Sequence, residues 1–203
     1  MISSSIIKNI KSECETGLAS VAYYYFDYKD KDKQGVRGLL SSLLTQLCAR
    51  SQRSYDILQG LYGIHQDGLQ QPSEGDLIQA LKNVLELPRH GRVYIVMDAM
   101  DEIPNTHGLP TPREDVLQLI KELVDLRHPD IRICITSRPE VDIRTVLEPL
   151  ASQATSLHDE GGQRSDIIDF IKWFVRGDRS MRRWREEDKQ LVIDSLSRKA
   201  NGM

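Results

Sequence analysis

The sequence predicts an α/β fold with a parallel sheet between layers of helices, and three observations carry that prediction. Short runs of β-branched and aromatic residues recur at Leu18–Tyr28, Val93–Met97 and Ile131–Thr136. The stretches between them place leucines and isoleucines at helical spacing. Strands that alternate with helices in this way form parallel sheets covered on both faces, which is why the runs are apolar throughout rather than alternating. Third, the central run, Val93-Tyr94-Ile95-Val96-Met97, leads directly into Asp98-Ala99-Met100-Asp101-Glu102, so an apolar strand delivers clustered carboxylates at its carboxyl end. Ligands of open α/β sheets bind at that edge.

The elements follow in order. Ile2, Ile6, Ile7, Ile10 and Cys14 lie at helical spacing behind serines suited to a helix start, and Gly17 is able to end that helix. Leu18 to Tyr28 reads as a buried strand, closed by the solvated turn Lys29-Asp30-Lys31-Asp32-Lys33. Val36 to Cys48 carries Leu39, Leu40, Leu43, Leu44 and Leu47 as one apolar stripe of a packed helix. Tyr55 to Ile64 reads as a shorter helix broken by Asp67-Gly68, and Pro72-Ser73-Glu74 opens another that carries Leu77, Ile78, Leu81, Val84 and Leu85. Pro88 stops it before the acidic strand. Residues 103–112 hold prolines at 104, 110 and 112 and are loop, placed to cover a bound ligand. Arg113 to Leu126 returns to helical spacing, and Ile131 to Thr136 is the next strand. Ala154 to His158 reads as a last short strand, with helices over Ile167–Val175 and Glu186–Ala200.

Composition narrows the function classes. A net charge of −3 over 203 residues gives no electrostatic reason to expect nucleic acid or an anionic membrane as partner. The basic cluster Arg176, Arg179, Arg182, Arg183 and Arg185, with Trp173 and Trp184 near it, is followed at once by Glu186-Glu187-Asp188 and reads as a solvated turn between helices. No run approaches the roughly 18 apolar residues of a membrane span, and the N-terminus has no signal-peptide pattern, so a cytoplasmic protein is expected. Cys14, Cys48 and Cys134 are odd in number and lie in apolar surroundings, as reduced core thiols do. The five histidines show no zinc-ligand spacing.

The acidic strand has the form of a Walker B motif. Asp98 suits a hydrated Mg²⁺, a hard cation that proteins bind through one or two carboxylates plus substrate phosphates, and Asp101 or Glu102 suits the orientation of an attacking water. A strand followed by a solvated acidic turn is the other reading of these ten residues. A phosphate loop of the form Gly-x-x-x-x-Gly-Lys-Ser/Thr, which would supply the backbone N–H groups and the lysine for the phosphates, occurs nowhere in the 203 residues.

The segments Ala22–Tyr28, Gly38–Leu47, Val93–Glu102, Ile135-Thr136-Ser137-Arg138-Pro139-Glu140, Arg182-Arg183-Trp184 and Lys199-Ala200-Asn201-Gly202-Met203 together resemble the NACHT nucleotide-binding domains of fungal NLR-like (STAND) proteins, the nephrocystin-3-like N-terminal domains. The resemblance implies a P-loop NTPase-like three-layer fold lacking its first strand, with a core over 1–160 and the start of a helical lid over 161–203. In the complete family domain Mg-ATP or Mg-ADP is the cofactor. The resemblance makes Asp98 the metal residue, Asp101 and Glu102 the catalytic pair, and Arg138 the sensor of the terminal phosphate, a task suited to a charged planar fork of donors. An ordinary salt bridge of Arg138 with Glu102 or Glu140 is the alternative.

The same resemblance sets Met1 just after the missing lysine and hydroxyl residue, and Ser3 to Ile10 as the continuation of the helix that such a loop leads into. Two origins fit: a reading frame begun at an internal Met, or a relic whose loop has been lost. The expected activity is that of a partial signalling switch unable to hydrolyse ATP alone, and the cofactor-binding residues of the loop are absent. Without the family's central strand, the Ile131–Thr136 strand is expected to present an unpaired edge. Protein partners follow as an expectation, by self-association or with an intact homologue, and the alternative function is a nucleotide-independent interaction module or decoy. A two-metal nuclease built on Asp98, Asp101 and Glu102 is disfavoured, because all three acids come from one short segment.

Overall fold

The computed structural model describes residues 2–17, 19–49, 51–88, 91–106, 108–156, 161–178 and 180–199. They form two compact units, residues 1–151 and 152–203. The expected boundary at residue 160 lies outside the described residues, as do His158 of the expected last strand and Ala200 to Met203. Residues 152–156, which include Ala154 to Ser156 of that strand, form no regular element.

In the first unit α1 (Ile2–Glu15) leads into β1 (Ala19–Tyr25), and α2 (Val36–Cys48), α3 (Gln52–Ile64) and α4 (Glu74–Glu86) follow before β2 (Arg92–Asp98). After β2 come α5 (Pro112–Asp125), β3 (Ile131–Ile135) and α6 (Val141–Leu147). The sheet runs β1-β2-β3, with both pairings parallel and with Ala22 opposite Ile95 and Ile95 opposite Ile133.

Alternation along the strands sends residues to two faces. Ala22, Tyr24, Val93, Ile95 and Met97 meet the leucine stripes of α2 and α4 and the apolar side of α5 in the main core. Val21 and Val96 meet Ile7 of α1 on the other face. The result is the expected α/β arrangement of three layers, with an all-parallel open sheet in the middle. Leu39, Leu40, Leu43, Leu81, Val84 and Leu85 are fully buried, so the stripes read from sequence are the core itself.

Local chemistry sets the helix starts. Ser73 caps α4 by accepting from the backbone N–H of Asp76, whose carboxylate accepts in return from the Ser73 N–H, and Thr111 and Glu114 make the same reciprocal box at α5. Pro112 occupies the first turn of α5, where its missing N–H costs nothing. Gly38 lies on α2 against the 31–33 turn, and a Cβ there would run into the carbonyl of Asp32. Gly17, at φ +76°, ends α1 in the left-handed region as the sequence implies.

Side chains meet some of the outward backbone groups at the two sheet edges. In β1 the Tyr23 N–H donates to Gln46 Oε1 at 3.1 Å and Gln46 Nε2 donates to the Tyr23 carbonyl at 2.8 Å, so one side-chain amide of α2 occupies the outward pair as a neighbouring strand would. In β3 the Thr136 N–H donates to the Met97 carbonyl and the Val93 N–H to the Asp130 carbonyl, which turns even-numbered residues toward β2 and odd ones outward. Arg132 Nη1 donates to the Ile131 carbonyl at 2.9 Å and covers that end. Among the described residues of the first unit no side-chain hydrogen bond covers the outward groups of Ile133 and Ile135, and β3 pairs with β2 alone.

The second unit contains α7 (Gly161–Gly177) and α8 (Glu186–Lys199), which bury Val175 and Ile193. Phe170 stacks on Phe174 with ring centroids 6.2 Å apart, and Trp173 lies 6.1 Å from Phe170. No helix among the described residues is long and apolar enough to cross a membrane.

Candidate functional site

The carboxyl ends of β2 and β3 gather most of the residues singled out in the sequence. Asp98 is the last residue of β2, and its Oδ1 accepts from two hydroxyls, that of Ser3 in the first turn of α1 and that of Thr136 just after β3. Ser3 is buried. Three separate elements thus converge on one carboxylate oxygen, and both hydroxyls occupy positions from which they reach a charged acceptor.

Immediately after Asp98 the chain reverses. Ala99 adopts φ +59°, ψ +49°, a left-handed conformation that costs a residue with a Cβ on the order of 1 kcal/mol. The reversal lets the Ala99 N–H donate to Thr136 Oγ1 at 3.2 Å and the Met100 N–H to the Thr136 carbonyl at 3.0 Å. Met100 is fully buried beneath the turn, and residues 100–102 wind into a single helical turn. An alanine and a methionine between the acids therefore have distinct tasks: the first turns the chain, the second anchors it.

That turn presents Asp101 to the chain after β3. Its Oδ1 accepts the backbone N–H of Arg138 at 3.0 Å, and its Oδ2 lies 3.3 Å from Arg138 Nε. The Asp101 side chain is 11% exposed, whereas that of Arg138 is 83% exposed, so the carboxylate is fixed and the guanidinium reaches into solvent. Glu102 turns the other way, and its Oε2 accepts the Tyr28 N–H at 3.2 Å at the end of the β1 segment. The ion pair of Arg138 is with Asp101, and the two partners weighed from sequence are occupied elsewhere: Glu102 by Tyr28 and Glu140 by Arg113.

Arg113 is the site-region residue that the sequence reading took only as a helix start. It is 5% exposed. Its Nε donates to the Ile103 carbonyl at 3.0 Å and its Nη2 to the Asp101 carbonyl at 2.8 Å, while Nη1 donates to Asp142 Oδ2 at 3.0 Å and to Glu140. Burial opposes its charge, and the hydrogen bonds and negative charge of Glu140 and Asp142 more than offset that, holding the guanidinium charged beyond its usual range. A charge in the first turn of a predicted helix was the one available signal, since cations are disfavoured there.

Cys134, on β3 two residues before Thr136, has its thiol pushed up, first by burial and then by the negative charge of Asp98. Among the described residues no group of three or more His, Cys, Asp or Glu side chains is arranged to hold a metal ion. A cation at Asp98 would therefore need phosphate oxygens, water or the Ser3 and Thr136 hydroxyls as its other ligands, which is the donor set of Mg²⁺ rather than zinc. Asp98 fits that requirement, because its hydrogen-bond partners are two neutral hydroxyls rather than cations.

No curated protein and no solved structure matches the chain. The family described as Nephrocystin 3, N-terminal matches residues 1–138, which take in α1, the whole sheet, the acidic turn and Arg138. With more than half of its length covered by that match, the chain belongs to the nephrocystin 3 N-terminal family.

Proposed function

We propose that this chain carries the acidic half of a NACHT-type nucleotide-dependent signalling switch. Asp98 holds Mg²⁺, Asp101 and Glu102 orient water, and Arg138 senses the terminal phosphate. The observation that carries the reading is the convergence of Asp98, Asp101 and Arg138 at the carboxyl edge of a parallel sheet, where α/β proteins bind phosphates. A phosphate bridging Mg²⁺ and Arg138 would compete with Asp101 for the guanidinium. Bound and free states would then differ in that ion pair, and only such differential binding shifts a population. No disulfide joins Cys14, Cys48 and Cys134, in keeping with a cytoplasmic protein. Because the 203 residues include no phosphate loop, the chain alone binds ATP weakly and does not hydrolyse it.

Crossover geometry supports where a loop-bearing strand would fit. The connections from β1 to β2 and from β2 to β3 pass over the face that α2, α4 and α5 cover, whereas α1 covers the opposite face. A right-handed entry into α1 therefore comes from the β3 side of the sheet. The experiment is to fuse a strand and a Gly-x-x-x-x-Gly-Lys-Ser loop ahead of Met1 and titrate Mg-ATP. Micromolar affinity that Asp98→Ala removes supports the reading, and a fusion that folds without binding ATP counts against it.

A second reading is favoured by the outward backbone groups of the β3 edge. Ile133 and Ile135 in β3 keep outward backbone groups, an arrangement that accepts a strand from another protein, whereas on β1 the outward pair of Tyr23 is taken by Gln46. In this reading the chain is a nucleotide-independent module or decoy that pairs with an intact homologue or a second copy of itself. Ile133→Pro tests it, since the Ile133 N–H points away from β2 and its loss spares the existing ladder. Co-purification with the homologue that the proline variant abolishes supports the reading, and unchanged co-purification removes β3 as the surface.

A further inference from the structure

Arg113 sits where helix physics disfavours it. It occupies the first turn of α5, beside the helix's own unpaired N–H groups, and it is buried. A buried cation at a positive helix end persists only when strong partners hold it, and the partners found here are informative. Two are carbonyls of the acidic turn, those of Asp101 and Ile103, and two are carboxylates of Glu140 and Asp142 at the start of α6. Asp142 also accepts from Asn105, at 2.9 Å, which in turn accepts from Thr111 at the α5 cap, so the 103–112 loop is tied to the same point.

These bonds close a ring. Arg113 holds the Asp101 carbonyl, the Asp101 carboxylate holds the Arg138 N–H and Nε, and Glu140, two residues beyond Arg138, returns to Arg113. We propose that Arg113 is a positioning residue that fixes Asp101 and the Arg138 segment relative to each other, so that displacement of either is transmitted to the other. The proposal rests on reading Asp101 and Arg138 as the water-facing and phosphate-facing groups of the site. Arg113 touches neither reacting group by side chain and acts from behind the turn. Its two arms make the acidic turn and the arginine segment move as one body, which is what a sensor of phosphate needs if it is to alter the water-orienting acid.

Amide hydrogen exchange in the full 203-residue chain, without nucleotide, tests this. In Arg113→Gln the Arg138 amide is expected to exchange about tenfold faster, the scale of one weakened hydrogen bond, while the Val96 amide in the centre of β2 keeps its rate. Combined with Asp101→Asn, which weakens the acceptor itself, Arg113→Gln should add no further acceleration at Arg138. Equal acceleration at Arg138 and Val96, an unchanged Arg138 rate, or additive effects in the double variant would each overturn the proposal, because a residue that only supports the fold gives those results. Should Arg113→Gln fail to fold, Glu140→Gln removes one exposed arm and is expected to speed Arg138 exchange about threefold, with no change overturning the proposal. No nucleotide enters the measurement, so a failure here shows in exchange rates, whereas a failure of the nucleotide reading shows in ATP titration of the fused chain.

Discussion

Ser3 donates its hydroxyl to the carboxylate of Asp98 across 95 residues of sequence, and Thr136 donates to the same oxygen from just beyond the neighbouring strand. The first turn of α1 is thereby tied to the acidic end of β2 and to the exit of β3. Hydrogen bonds to a charged acceptor from a buried donor are worth more than neutral ones, so Ser3→Ala should lower stability by about 1.5 kcal/mol. Thr136→Val also orphans the Ala99 N–H and should cost about 2 kcal/mol. Urea unfolding of the two variants, with unchanged m-value, checks the order and the size.

Asp98 and Cys134 offer a chemical readout of charge at the site. Burial first, and the Asp98 charge second, raise the Cys134 thiol above its usual value, so removing that charge lowers the thiol pKa and exposes more thiolate at neutral pH. Asp98→Asn should therefore speed iodoacetamide labelling of Cys134. Cys48, pushed up to about 11 by burial alone, should remain unlabelled in both proteins while they stay folded. Mass spectrometry of labelled peptides over time distinguishes the two cysteines.

Gln46 occupies the outward backbone pair of Tyr23 in the middle of the β1 edge with two hydrogen bonds. Gln46→Ala should cost about 1–2 kcal/mol and open the outward backbone pair of Tyr23 on that edge. Sedimentation should show greater self-association than in the unaltered chain at equal concentration.

Acid should loosen α4 before the sheet. The Asp76 carboxyl is held below its usual value of 3.8, chiefly by the Ser73 hydroxyl and backbone N–H and further by His65. Its depressed folded value means that the capping contribution is complete above the unfolded value and is lost as pH falls through the folded one. Hydrogen exchange or helix-specific NMR shifts over residues 74–78 should therefore change below about pH 4, and Ser73→Ala, which removes the hydroxyl but keeps the backbone N–H and His65, should weaken that pH dependence.

The layers of this fold are written in short-range patterns, and the site is not. Leucine stripes gave α2 and α4 because several turns of each helix repeat the period, and the run ending at Asp98 gave β2 because both of its faces are buried. Residues 141–147 form α6 although they carry barely two turns of periodicity after Pro139, too few to register as an element. Asp98, Asp101 and Arg138 were legible because a strand end carries them to a known edge. Ser3, Gln46, Arg113 and Thr136 were not, since each acts through a bond to a residue distant in sequence or through burial that only packing defines. The left-handed turn at Ala99 was hidden for a related reason: the tertiary bonds of Thr136 stabilise a conformation that alanine does not favour by itself.

Titration of the 203-residue chain with ATP in the presence of Mg²⁺, beside its Asp98→Ala variant, tests the central claim most directly. With Asp98 and Arg138 in their proposed roles but no phosphate loop, the chain should give no saturable heat at ATP concentrations up to about 1 mM, corresponding to less than roughly 4 kcal/mol of binding free energy. A tight, Mg²⁺-dependent affinity that Asp98→Ala abolishes would contradict the account, because it would mean that the acidic edge binds the nucleotide without the loop.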